Sequence, residues 1–200
     1  MRILLVGDSH MQALGPRLGE LLDPYGIESI GGLAQPGKST RWYSEQQLVA
    51  EAVRAHRPDA VVFVLGGNDQ CWGAARQAEY WSELLAQARA ASSVAKVVVA
   101  GPPMALDGEV DRRHACSTAA TRAFAQARGL PFIDTREVTP EGKYRADRVH
   151  FTADGYDEMA LGLAPRIARA LEGAQSLLPG IVLGGLSLVL ALGIFWAVAR

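Results

Sequence analysis

At 200 residues, with 49% hydrophobic and 20% charged side chains, the chain suits one globular domain of ordinary size plus a short appendage. Its formal net charge of -1 excludes the basic surface of a nucleic-acid binder and the acidic tail of a charge-driven partner. Two cysteines, Cys71 and Cys116, form neither a disulfide framework nor a zinc spacing; they read as incidental buried thiols, a single bridge being expected only of an exported domain.

Strands and helices alternate along the chain. Arg2–Gly7 reads as a short buried strand, and it enters the Gly7-Asp8-Ser9 turn directly, leaving too little apolar length for a signal peptide. Met11–Leu22 has helical spacing through Met11, Leu14, Leu18, Leu21 and Leu22. A second strand is expected over Ile27–Leu33, and one helix over Ser44–His56 with Leu48, Ala52 and Val53 on its apolar face. Asp59–Leu65 is a continuous apolar run, hence a buried strand, followed by a helix over Ala74–Ala91. Ala95–Ala100 is another buried strand, stopped by Gly101-Pro102-Pro103. A helix over Asp111–Arg128, a short strand at Pro131–Asp134 and a helix over Ala153–Leu171 complete residues 1–172. Such alternation predicts a parallel sheet covered on both faces, with any site at the carboxyl ends of the strands.

The remaining segment, 173–200, has no charged residue from Gly173 to Ala199. After a linker near Glu172–Ser176, roughly 23 apolar residues would give a helix of about 34 Å, against a bilayer core of about 30 Å. Trp196 suits an interfacial anchor, and Gly184, Gly185 and Gly193 suit a membrane helix better than a soluble one. A single C-terminal membrane span is therefore expected. Arg166 and Arg169 before it, against Arg200 after it, favour a cytoplasm-facing domain.

Four strand ends carry chemistry. Ser9 opens a helix, where its hydroxyl is exposed and its N–H faces negative charge. Gly37, in Gln35-Pro36-Gly37-Lys38-Ser39, lets the backbone approach a substrate. Asn68, in Gly66-Gly67-Asn68-Asp69, offers an uncharged amide donor, whereas Asp69 reads as a structural acceptor. Asp147 lies three residues before His150, so its carboxylate can hold Nδ1 while Nε2 faces a serine. His10 adjoins Ser9 at a helix start, and its ring should diverge from the hydroxyl; His56 and His114 read as surface or structural residues, and Asp8 as a loop support.

Taken in order, these blocks resemble the SGNH (GDSL-like) hydrolase family, with Ser9, Gly37, Asn68 and His150 at its four named positions, over about Met1–Leu171. The resemblance implies a three-layer α/β/α, flavodoxin-like fold and ester hydrolysis or acyl transfer through an acyl-serine. Ser9 would attack, His150 would carry the proton and Asp147 would orient it. The N–H groups of Ser9 and Gly37 and the Asn68 amide would hold the oxyanion. No metal or cofactor is required of such a site. The family's GDSL is GDSH here, and Ala13 stands where a glycine is common, which puts the substrate in question. GDSH resembles variants in family members acting on carbohydrate O-acyl groups, and that resemblance implies a short acyl or acetyl ester on a carbohydrate. Lipid esters, thioesters and O-acyl transfer are the alternatives.

Two rival readings stand beside this one. Gly32–Ser39 satisfies the phosphate-loop pattern GxxxxGK[ST] after a predicted strand. However, Thr40–Tyr43 is not expected to open a helix, and no strand ends in a magnesium-holding aspartate. The second rival is a non-catalytic, membrane-tethered binding module of the same fold.

Overall fold

The computed structural model describes residues 1–91 and 94–173. Five parallel strands form one sheet in the order β2-β1-β3-β4-β5, with β1 at Arg2–Gly7, β2 at Glu28–Ala34, β3 at Ala60–Val64, β4 at Lys96–Ala100 and β5 at Phe132–Ile133. Helices α1 (Ser9–Leu22) and α6 (Ala153–Gly173) cover one face. The other is covered by α3 (Leu48–His56), α4 (Ala74–Ala88) and α5 (Gly108–Arg128), with the short α2 (Thr40–Glu45) beside them. This is the three-layer α/β/α arrangement expected from the alternating pattern.

The two-residue period of the strands divides the core. Ile3, Leu5, Val62, Val64, Val98 and Ala100 pack against α1 and α6. Leu4, Val6, Val61, Phe63, Val97 and Val99 pack on the opposite side with Val53, Trp81, Leu84 and Phe124. Each such side chain contributes about 1.5–3 kcal/mol by leaving water, so the central strands read as unbroken apolar runs. Edge strand β2 is only partly buried, consistent with its glycines and polar residues.

One predicted helix divides in two. The segment Ser44–His56 becomes α2, starting four residues early, and α3, separated by Gln46 in an extended conformation (φ -100°, ψ 151°). Ser39 Oγ accepts Trp42 N–H, and the Asp69 carboxylate accepts Thr40 N–H, so a helix does open at Thr40. At its far end, Gln87 Nε2 donates to the carbonyls of Tyr43 and Ser44, removing the acceptors that would continue the helix. Val53 is buried on α3 as expected, but Val49 and Ala50 complete the buried face in place of Leu48 and Ala52.

The cysteines also depart from expectation. Cys71 and Cys116 form a disulfide with a Cα–Cα distance of 5.7 Å, linking the β3–α4 loop to α5. Their separation of 45 residues carries no motif, and the fold alone brings them together. Among the described residues no helix is long and apolar enough to cross a membrane. The expected span lies outside the described residues.

Candidate active site

The site is assembled where β1, β3 and the loop before α6 end. Gly7 closes β1 against α1 so tightly that a Cβ there would lie 2.3 Å from Met11 Cβ and 2.6 Å from the Val64 carbonyl oxygen. Only glycine fits this turn, and it sets Ser9 at the first position of α1. Asp8 caps the helix, its Oδ1 accepting His10 N–H at 3.0 Å. Its Oδ2 accepts Gly67 N–H at 3.2 Å. The neighbours of Ser9 and Asn68 are thereby tied together.

Ser9 Oγ lies 2.7 Å from His150 Nε2, and His150 Nδ1 lies 2.9 Å from Asp147 Oδ2. The Asp147 carboxylate fixes the tautomer by accepting Nδ1–H, which leaves the Nε2 lone pair for the serine O–H. The other carboxylate oxygen of Asp147 accepts the N–H groups of Val149 and His150, both at 2.9 Å. Partial burial acts to raise this carboxyl, but those N–H groups and the His150 ring outweigh it and hold it at about 2. It stays ionised in any neutral buffer. The turn needs Arg148 in the left-handed region (φ 61°), which is costly for a non-glycine residue. Surrounding bonds over-determine it: Arg148 N–H donates to Arg145 O, and Arg148 O accepts from Leu106 and Asp107. Phe151, fully buried against Tyr144, anchors the far end of the loop.

His10 is 2% exposed and its ring bonds Tyr156 Oη at 3.1 Å, making no side-chain hydrogen bond to Ser9, His150 or Asp147. Burial, with His150 and His114 nearby, lowers its pKa to about 3 and keeps it neutral. Its ring lies 5.1 Å from that of His150 and backs it. His114 is wholly buried, its Nδ1 2.7 Å from Pro103 O and its Nε2 3.0 Å from Gly67 O. His56 is exposed.

Asn68 is half-buried, and its Nδ2 donates to Lys38 O at 3.3 Å. The Gly37–Lys38 turn is thus held beside the Asn68 amide. Gly37 is exposed, with φ +72° and open space beside it. Asp69 is fully buried and collects Thr40 N–H and Oγ1–H, both at 2.7 Å, with Gln77 Nε2 and Ser117 Oγ. This carboxylate occupies the helix N-terminus that a phosphate would need if Gly32–Ser39 were a phosphate loop. The Lys38 ammonium instead lies 5.0 Å from the Trp42 ring. Sequence reading missed the Tyr156–His10 pair, and Tyr43, whose Oη lies 2.6 Å from Gly7 O and 3.0 Å from Leu33 O and donates its one hydrogen between them. No local pattern marks either tyrosine, because their partners are distant in sequence. Among the described residues no group of His, Cys, Asp or Glu could hold a metal ion.

A serine, histidine and aspartate joined by hydrogen bonds over the carboxyl edge of a parallel sheet define a serine-dependent acyl hydrolase. The chain belongs to the GDSL-like Lipase/Acylhydrolase family, whose model matches residues 5–158, and it is a carboxylic ester hydrolase of that family. A comparison with curated proteins finds no match. Among solved structures, a lipase/acylhydrolase from Enterococcus faecalis is similar at 23% identity and a TM-score of 0.68, covering 86% of this chain and 96% of its own. A carbohydrate esterase family 3 protein from Talaromyces cellulolyticus is similar at 19% identity and a TM-score of 0.71, covering 86% and 99%. A carbohydrate acetylesterase from Sinorhizobium meliloti is similar at 18% identity and a TM-score of 0.64, covering 84% and 98%. At these identities the likeness is one of fold.

Proposed function

We propose that the chain hydrolyses short acyl esters, acetyl above all, carried on a carbohydrate, and that Ser9, His150 and Asp147 perform the chemistry. The observation that carries the reading is the continuous Ser9–His150–Asp147 relay. Ser9 Oγ attacks the acyl carbon as its proton passes to His150 Nε2. The C–O bond to the alcohol then breaks, and the alcohol leaves with that proton. Water attacks the acyl-serine by the reverse proton path, releasing the acid and restoring Ser9. The N–H groups of Ser9 and Gly37 and the Asn68 amide hold the oxyanion in both steps. The carbohydrate part rests on half-buried aromatics in the segments that follow Gly37 and Asn68. Trp42 lies next to Lys38, and Trp72 packs edge-on against Tyr80 at 5.1 Å. Partly exposed rings of this kind stack on sugar faces. The two carbohydrate esterases of similar fold agree with that choice.

Labelling with a fluorophosphonate probe tests the relay. Folded wild type is expected to label, and Ser9→Ala and His150→Ala are not. Labelling that survives in Ser9→Ala would place the nucleophile elsewhere.

We further infer that 1–172 is the catalytic unit and that 173–200 tethers it to a membrane, on the length and lack of charge of that stretch. The Cys71–Cys116 bridge favours an oxidising compartment over the cytoplasm-facing side suggested by the flanking arginines. The full chain should float with membranes while a 1–172 chain stays soluble and active. Equal partitioning of the two would remove the tether.

A further inference from the structure

Among the described residues, half-buried arginines are paired, with one exception. Arg17 meets Asp157, Arg136 meets Asp111, and Arg166 meets Glu137. Arg113 is equally half-buried, yet among the described residues it makes no hydrogen bond or ion pair, and its Nε is buried without a partner. Its charge is felt by Asp107, whose carboxylate also feels Arg148 but bonds Glu109 N–H and Val110 N–H instead. The Nη groups are not buried and have no acceptor in the protein, so they are open to an arriving anion.

Helix geometry gives its direction. Arg113 lies one turn before Ser117 and Cys116, and both of these grip the β3–α4 loop, through Asp69 and Cys71. His114, its neighbour, bonds the carbonyl of Gly67, next to Asn68. Since α5 returns antiparallel to the strands, Arg113 is nearer than Ser117 to the carboxyl edge that carries Ser9. Its place on α5 is therefore at the carboxyl edge, between the Asn68 loop and the loop before α5. Arg148, in the turn that carries His150, donates to Leu106 O in that same loop and adds positive charge on its other side.

Resting on the esterase reading above, we propose that Arg113 is a specificity residue that binds a carboxylate on the substrate, so that the preferred ester is an acylated acidic molecule, such as an O-acylated sugar acid. The planar guanidinium matches a carboxylate in two-point contact, which a lysine cannot reproduce.

The test compares 3- and 4-acetoxybenzoate with their methyl esters, substrates that share the acetyl group and differ in a free or masked carboxylate. Wild type should prefer a free carboxylate, and added salt should weaken the preference. In Arg113→Gln, kcat/KM for the carboxylate substrate should fall about tenfold or more, mainly through KM, while the methyl ester changes less than twofold. Arg113→Lys should recover only part of the loss. Folded Arg113→Gln and Arg113→Lys that keep the wild-type kinetics on both substrates, preference for the free carboxylate included, would overturn the assignment while leaving the esterase intact. Failure of folded wild type to cleave any of the four would overturn the esterase reading and this one with it.

Discussion

Asn68 has two amide hydrogens and uses one on Lys38 O at 3.3 Å, leaving the second available to the oxyanion of the proposed mechanism. Donors of this kind are held before the reaction begins, so they cost no reorganisation in the transition state. Asn68→Ala is expected to lower kcat by roughly a hundredfold to a thousandfold with little change in KM. Steady-state kinetics on a small acetyl ester would check it, and an unchanged kcat would remove Asn68 from the site. At this scale Ser9, His150 and Asp147 meet as the sequence suggested, and Asp8 and Asp69 take the supporting roles expected of them, but the partners of those supports were not readable. Ser9, Asn68 and His150 each follow a recognisable turn, and Asp147 sits within one turn of the residue it orients. Asp69 binds Thr40 from 29 residues away and Ser117 from 48, and Tyr156 reaches His10 from 146. Those partners are set by packing, and no spacing in the chain encodes them.

The β3–α4 loop depends on Gly66 for its shape. Its φ is +115°, and a Cβ there would lie 2.4 Å from Ser117 Oγ and 3.1 Å from Pro102 Cδ. Gly66→Ala therefore strains the backbone and pushes α5 from the loop it grips. A loss of about 1–3 kcal/mol is expected, and kcat should fall further than stability alone explains, because Asn68 lies two residues on. Chemical denaturation beside kinetics would test this. Full activity in a destabilised variant would mean that the loop holds Asn68 independently of Gly66. Element boundaries follow the same logic. The central strands were legible because each is apolar on both faces. The break between α2 and α3 was hidden because Asp69 and Gln87, far along the chain, set the start of the first and the end of the same helix.

At the scale of the molecule, the bridge between Cys71 and Cys116 joins two elements that already meet through Ser117 and His114. Its native contacts are thus partly redundant, and its main effect falls on the unfolded chain, where it closes a loop spanning a separation of 45 residues. Loop-closure entropy of that size amounts to about 4 kcal/mol. For a domain of this length the corresponding fall in Tm is roughly 8–16 °C. The Cys71→Ser, Cys116→Ser double variant should show that fall and nevertheless label with the serine probe at 25 °C, since the Ser9–His150 contact does not pass through the bridge. A reducing agent should lower the wild-type Tm by the same amount and leave the double variant unchanged. A wild-type Tm indifferent to reductant, with both thiols alkylated in the native protein, would mean that the bridge does not form. The placement of the domain in an oxidising compartment would then lose its support, and the arginines flanking the C-terminal segment would again favour the cytoplasmic side.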